Sequence, residues 1–191
     1  MQPSNKPKEH LARAKAHVEA FATAPTLEDA EHHWKSFLQD LERCWFKAEA
    51  HYGRSPKWNG WAAKYRKARE TDPLLAYLRR ARDAQEHTIA DITSRVPGSI
   101  TMAAADPQKP AYMSEVIVHK DGTVSGVAEN LKVEVTSPSL GLLPVTNRGK
   151  SYPIPTSHLG QPFHGRPVAL AECGLAYYAE LLDAADAFLL K

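Results

Sequence analysis

In the first half of the chain the apolar residues recur at intervals of three and four, the period of a helix with one buried face. Leu27, Ala30, Trp34, Phe37, Leu38, Leu41, Trp45 and Ala48 form such a stripe and predict a helix over 27–51. Thr26 stands before it as an N-cap, Glu28 and Asp29 put negative charge at the positive end of the helix dipole, and Gly53 stops it. The same spacing predicts a helix over 8–22 and a shorter one over 57–67. A fourth helix starts at Asp72-Pro73, because an N1 proline lacks only an N–H that would be unpaired there anyway. Leu74, Leu78, Ala81, Gln85, Ile89 and Ile92 make its core-facing stripe until Val96-Pro97-Gly98 ends the run.

Beyond Gly98 the apolar residues alternate instead, and Pro, Gly, Ser and Thr become frequent. Strands are predicted over 113–118 and 123–128, joined at Lys120-Asp121-Gly122, with 131–136 continuing the meander. A further pair, 142–145 and 151–154, meets across Asn147-Arg148-Gly149, and 103–110 reads as a linker. Helical spacing returns after Pro167, with Val168, Leu170, Ala171, Leu175, Tyr178, Leu182, Ala185, Phe188 and Leu189. The expected architecture is mainly α: one domain over 1–191, a helical bundle of about five helices, with a small antiparallel β-insert over 98–156 before the C-terminal helix.

Composition agrees with one folded core. The chain has 191 residues, 43% apolar and 24% charged, and a domain of this length buries about 70% of its unfolded surface without needing disulfides or structural metal. Cys44 and Cys173 lie far apart and form no CxxC pair, which suits a reducing cytoplasm. No apolar run approaches the roughly 18 residues of a membrane span, and none follows the N-terminal basic residues, so neither membrane insertion nor secretion is expected.

Net charge is only +2, but it is unevenly spread. Residues 1–95 hold 17 Lys and Arg against 13 Asp and Glu, while 96–191 hold 7 against 9. Between Arg54 and Arg82, nine basic residues face only Glu70 and Asp72, and this is the window where a polyanion would bind. Within it, Lys64, Arg66, Lys67, Arg69, Arg79 and Arg80 are the candidates for steering single-stranded RNA. Trp58, Trp61 and Tyr65 alternate with these bases; their spacing of three and four is that of the buried stripe of the third helix, and base stacking is the competing reading.

The sharpest chemical constellation is Arg82-Asp83-Ala84-Gln85-Glu86-His87 on the fourth helix. Asp83 lies one turn before His87 on the same face, placed to orient the imidazole, and the guanidinium of Arg82 can hold a phosphate. A histidine that moves protons and an arginine that meets developing phosphorane charge suffice to cleave RNA without metal, since the 2′-hydroxyl is an internal nucleophile. The plainer reading takes Arg82–Glu86 and Asp83–His87 as surface i,i+4 pairs, each contributing about 0.2–0.5 kcal/mol.

The stretch from Asp72 to His87 resembles the signature helix of the HEPN superfamily, in which Arg is followed by a polar residue and, after four to six positions, by His. Arg82, Asp83 and His87 match it residue by residue. The wider pattern, with Pro155-Thr156-Ser157-His158-Leu159-Gly160 and a terminal helix bearing Tyr177-Tyr178, also resembles uncharacterised bacterial proteins with an ArgAsn-x3-His helix; here Asp replaces Asn. The resemblance implies a helical, commonly dimeric protein and a metal-independent endoribonuclease of toxin–antitoxin or defence systems. Its composite site would form where two such helices meet across a homodimer, with an antitoxin or other protein as a further partner. Some members are non-catalytic scaffolds, so a dimerisation or interaction scaffold is the competing expectation.

No cofactor and no metal are expected. His32 and His33 point to different faces of a helix, His10 and His17 are seven apart on one face, and His158 and His164 sit in a Pro/Gly-rich loop that nears His119 only if the fold brings them together. HExxH, Walker, GxGxxG and GxSxG motifs are absent, leaving nucleotide hydrolysis, dinucleotide redox chemistry and α/β-hydrolase action without support.

Overall fold

A computed structural model describes residues 4–87, 89–120, 123–163 and 166–190. The fold is mainly α, with small antiparallel sheets. The described residues form five helices: α1 (Lys6–Ala22), α2 (Leu27–Tyr52), α3 (Trp58–Thr71), α4 (Pro73–His87) and α5 (Pro167–Leu189). Thr26 caps α2 as expected: its hydroxyl oxygen accepts from Asp29 N at 3.0 Å and donates to the Asp29 carboxylate at 2.7 Å. Asp72 does the same for α4, its Oδ1 accepting from Leu75 N at 3.0 Å.

Helix α2 is the spine. Trp34, Phe37, Leu38, Leu41, Trp45, Ala48 and Tyr52 run along its buried face, joined by Ala14 and Val18 from α1, Trp58 and Ala62 from α3, and Leu74, Tyr77, Leu78 and Ala81 from α4. From α5 come Leu170, Tyr178, Leu181, Leu182 and Ala185. Burying a side chain of this size contributes about 1.5–3 kcal/mol, so this shared apolar face is what holds the helices. Gly174 lets α5 approach closely: a Cβ there would stand 2.8 Å from Leu78 Cδ1. Trp58, Trp61 and Tyr65 pack inward against Tyr52, Phe188 and Tyr177, as the stripe reading expects.

The fourth helix ends earlier than its periodicity suggested. It stops at His87; Ile89, placed on the core stripe, is fully exposed, whereas Ile92 is buried on a non-helical segment. Ile92 O accepts from Leu143 N at 3.0 Å, and the chain continues into β1 (Thr93–Val96), which pairs with β6 (Ser139–Leu142). An isolated apolar residue at helical spacing cannot distinguish one continuing turn from a sharp exit that buries a later neighbour.

By contacts the chain divides into two compact units, 1–95 with 140–191, and 96–139. The second unit is two nested ribbons. β2 (Ser99–Ala104) pairs with β5 (Leu131–Thr136), and β3 (Tyr112–Val118) with β4 (Val124–Glu129), all antiparallel. Two expectations are corrected here. Residues 131–136 do not continue a meander beside β4 but return to β2, and 103–104 belong to β2 rather than to a linker. Register decides this, because Ile100 opposite Val135 and Met102 opposite Val133 place apolar pairs on one face of the ribbon. The Asp121-Gly122 turn lies outside the described residues.

In the first unit, β7 (Val145–Asn147) pairs with β8 (Lys150–Tyr152), and β9 (Ser157–His158) with β10 (Gln161–Pro162). Both are two-residue hairpins whose central residues have positive φ, Arg148 (49°) with Gly149 (76°) and Leu159 (49°) with Gly160 (79°), the type I′ geometry that matches strand twist.

Three helices are tied at one carboxylate. Asp186 of α5 accepts from Lys8 Nζ of α1 at 2.7 Å and from the Tyr52 hydroxyl of α2. Burial pushes its carboxyl upward, but the bonds from Lys8 and Tyr52 outweigh this and hold it below the ordinary value of 3.8. A depressed carboxylate adds stability that is present above the unfolded value and lost as pH falls through the folded one. Asp186→Asn is therefore expected to lower Tm near neutral pH by about 2–4 °C, the shift for ~1 kcal/mol in a chain of this size, with the difference from wild type closing as pH falls below the ordinary carboxyl value of 3.8. Thermal melts of both proteins across pH check this; a difference as large at pH 2 as at pH 7 would rule out the charge as its source.

Candidate functional site

Helix α4 presents Asp83 and His87 one turn apart at its C-terminal end. The β7–β8 hairpin stands opposite. It is fixed by Val145, 3% exposed, and by the link that precedes β7, where the Tyr77 hydroxyl of α4 donates to Leu143 O at 2.8 Å. The Arg80 guanidinium of α4 lies over the Tyr152 ring, 5.6 Å from its centroid. This anchoring brings Asn147 and Arg148 to the same pocket as Asp83 and His87, a cavity of about 370 Å³. His87 is exposed at its edge.

Asp83 is engaged differently from the expectation that it orients His87. Its Oδ2 accepts from Arg80 Nη1 at 3.1 Å, and its Oδ1 lies 3.5 Å from Arg82 Nη1. The carboxylate is within local reach of two permanently charged side chains on its own helix, and these bind it more strongly than a neutral imidazole would. Arg82 is half-buried and flanks the pocket rather than lining it; its Nε is buried and makes no hydrogen bond among the described residues, and neither does the buried Gln85 Oε1. Glu86 accepts from Gln39 of α2 at 3.0 Å.

The basic window resolves into unlike residues. Arg69 is not an RNA-steering side chain: it is 3% exposed, and its Nη2 donates to both carboxylate oxygens of Glu42 at 2.8 Å. It also donates to the Tyr178 hydroxyl and lies 4.4 Å from the centre of the Trp45 ring. Burial lowers its proton affinity, with Glu42 opposing, and the residue belongs to the core. A net count of charges cannot separate such a residue from its solvated neighbours. Arg66 is paired with Glu49 at 3.0 Å, and Arg79 lies 3.8 Å from Glu70. Lys64 and Lys67 are exposed and make no ion pair among the described residues. No described residue of α3 lines the His87 pocket.

Other histidines are structural partners. His10 and His17 of α1 both approach the buried Asp40, at 2.7 and 3.7 Å, and His158 Nδ1 lies 2.9 Å from Asp72 Oδ1. His164 lies outside the described residues. Sequence reasoning treated Asn147 and Arg148 only as a turn; the cationic tip was visible, but nothing in its spacing ties it to His87, some sixty positions away. Comparisons with protein families, with curated proteins and with solved structures find no match. No described helix is long and apolar enough to cross a membrane.

The burial of Arg69 sets an expectation separate from RNA. Arg69→Ala leaves Glu42 buried and unpaired and is expected to cost about 3–5 kcal/mol in urea unfolding. Lys64→Ala with Lys67→Ala is expected to leave the midpoint within about 0.5 kcal/mol. An Arg69→Ala protein as stable as wild type would return this residue to the surface set.

Proposed function

We propose that the protein is a HEPN-like, metal-independent endoribonuclease whose helices form the bundle of that superfamily and which acts as a cytoplasmic homodimer. The observation that carries this reading is the pocket at the end of α4, where an exposed His87 shares a cavity with Arg148 and with Asp83, which pairs with Arg80 and Arg82. Proton transfer and cationic charge at one point are what cleavage by the 2′-hydroxyl requires.

In this mechanism His87 of one subunit accepts the 2′-hydroxyl proton as O2′ bonds to phosphorus. The bond from phosphorus to O5′ breaks, and O5′ takes a proton from protonated His87 of the partner subunit. The products are a 2′,3′-cyclic phosphate and a 5′-hydroxyl. Arg82 meets the charge that develops on the phosphorane oxygens, and Asp83 keeps Arg80 and Arg82 in place rather than the imidazole. A second reading, a non-catalytic dimerisation or interaction scaffold, is favoured by the same ion pairs, since Asp83, Arg80 and Arg82 are already mutually satisfied in part.

The test is cleavage of end-labelled single-stranded RNA in excess EDTA. Wild type is expected to give cyclic-phosphate ends, and His87→Ala and Arg82→Ala to lose at least about 100-fold in rate, with Tm within a few degrees of wild type. Cleavage that EDTA abolishes, or that survives in His87→Ala, would remove the reading, and absence of cleavage across varied RNAs moves the weight to the scaffold.

A further inference from the structure

We infer that the β7–β8 hairpin is the phosphate-binding wall of this site, with Arg148 gripping a phosphodiester of single-stranded RNA and Asn147 reading the adjoining base. The choice of RNA rests on the nuclease reading; the anion site does not.

The guanidinium that shares a pocket with His87 is that of Arg148, while Arg82 is turned to Asp83. Arg148 is exposed and has no ion pair among the described residues, so its five donors are available to an incoming anion. Its surroundings favour one. Arg80, Arg82 and Lys150 accompany it, Lys150 Nζ and the Arg80 guanidinium both lying over Tyr152, at 5.2 and 5.6 Å. Against them stand Asp83, already shared by two arginines, and Glu86 at the helix end.

The backbone makes this a fixed presentation. Arg148 occupies positive φ, a conformation that glycine or asparagine adopts more readily, in a two-residue turn whose strands are held on α4. With the backbone already set, binding has only the side chain to order, and its planar fork matches two phosphate oxygens. Asn147 is half-buried and lines the pocket, and its amide can both donate and accept, the capacity needed to bond a base edge. The cavity, at about 370 Å³, falls within the range of small-ligand sites, roughly 300–1,000 Å³.

The experiment measures binding of a fluorescent, non-cleavable 2′-O-methyl RNA oligonucleotide as a function of salt, and separately of inorganic phosphate. Arg148→Asn suits it, since asparagine relieves the positive φ and leaves the hairpin intact, with Tm unchanged or slightly raised. It is expected to weaken oligonucleotide binding about 10-fold and to reduce the slope of log K against log salt by about 0.7, one phosphate contact on a single strand. Arg148→Lys should restore the slope but only part of the affinity, and Asn147→Ala should weaken binding without changing the slope.

Unchanged affinity and slope in Arg148→Asn overturn the inference, even if wild type cleaves RNA. Loss of binding in Arg148→Asn without cleavage by any variant keeps the anion wall and removes the nuclease. Arg148-dependent binding of inorganic phosphate without oligonucleotide binding overturns the assignment to RNA.

Discussion

The packing of the helical unit depends on a charge placed where water cannot reach it. Arg69 projects from α3 into the core, where an unpaired guanidinium would cost several kcal/mol, and the fold supplies partners from α2 and α5. Glu42 of α2 provides the countercharge, the Tyr178 hydroxyl of α5 a hydrogen-bond acceptor, and the Trp45 ring a polarisable face. Such a network has one good geometry. Apolar burial drives α2, α3 and α5 together, and the arginine is satisfied in the arrangement where Glu42 and Tyr178 both reach it.

Three residues later the chain uses a second buried charge to start the helix that carries the site. Asp72 caps α4 and, from the same carboxylate, accepts from Leu159 N at 2.6 Å and meets His158 at 2.9 Å, which fastens the β9–β10 turn. Leu159 adopts positive φ there, so the bond to its N–H supports a strained position. The start of α4 is thus fixed by Asp72 and its far end is faced by the β7–β8 hairpin. His87 meets solvent between Asp83, paired with Arg80 and Arg82, and a hairpin whose strand residue Val145 is buried.

Much of this was legible in the residues. Helical periodicity found the five helices, Thr26 and Asp72-Pro73 marked two starts, and Pro167 marked a third, since capping and proline geometry act within a few residues. The ends and pairings were less legible. Ile89 and Ile92 fit one helical stripe by spacing, yet the helix stops at His87, and β5 pairs with β2 across more than twenty intervening positions. Strand pairing is settled by which faces match, and a linear pattern of alternation leaves that open. Arg69 and Lys67 likewise look alike in a charge count, although one is core and the other surface.

The sequence by itself determined the helices, their caps, the placement of Asp83 and His87 on one face, and a basic first half, because each follows from local geometry or composition. The tertiary structure alone decided that Arg69 is buried, and that the cation sharing a pocket with His87 is Arg148. Those outcomes depend on which elements meet in space, and that is set by the closing of a common apolar core over residues distant in the chain.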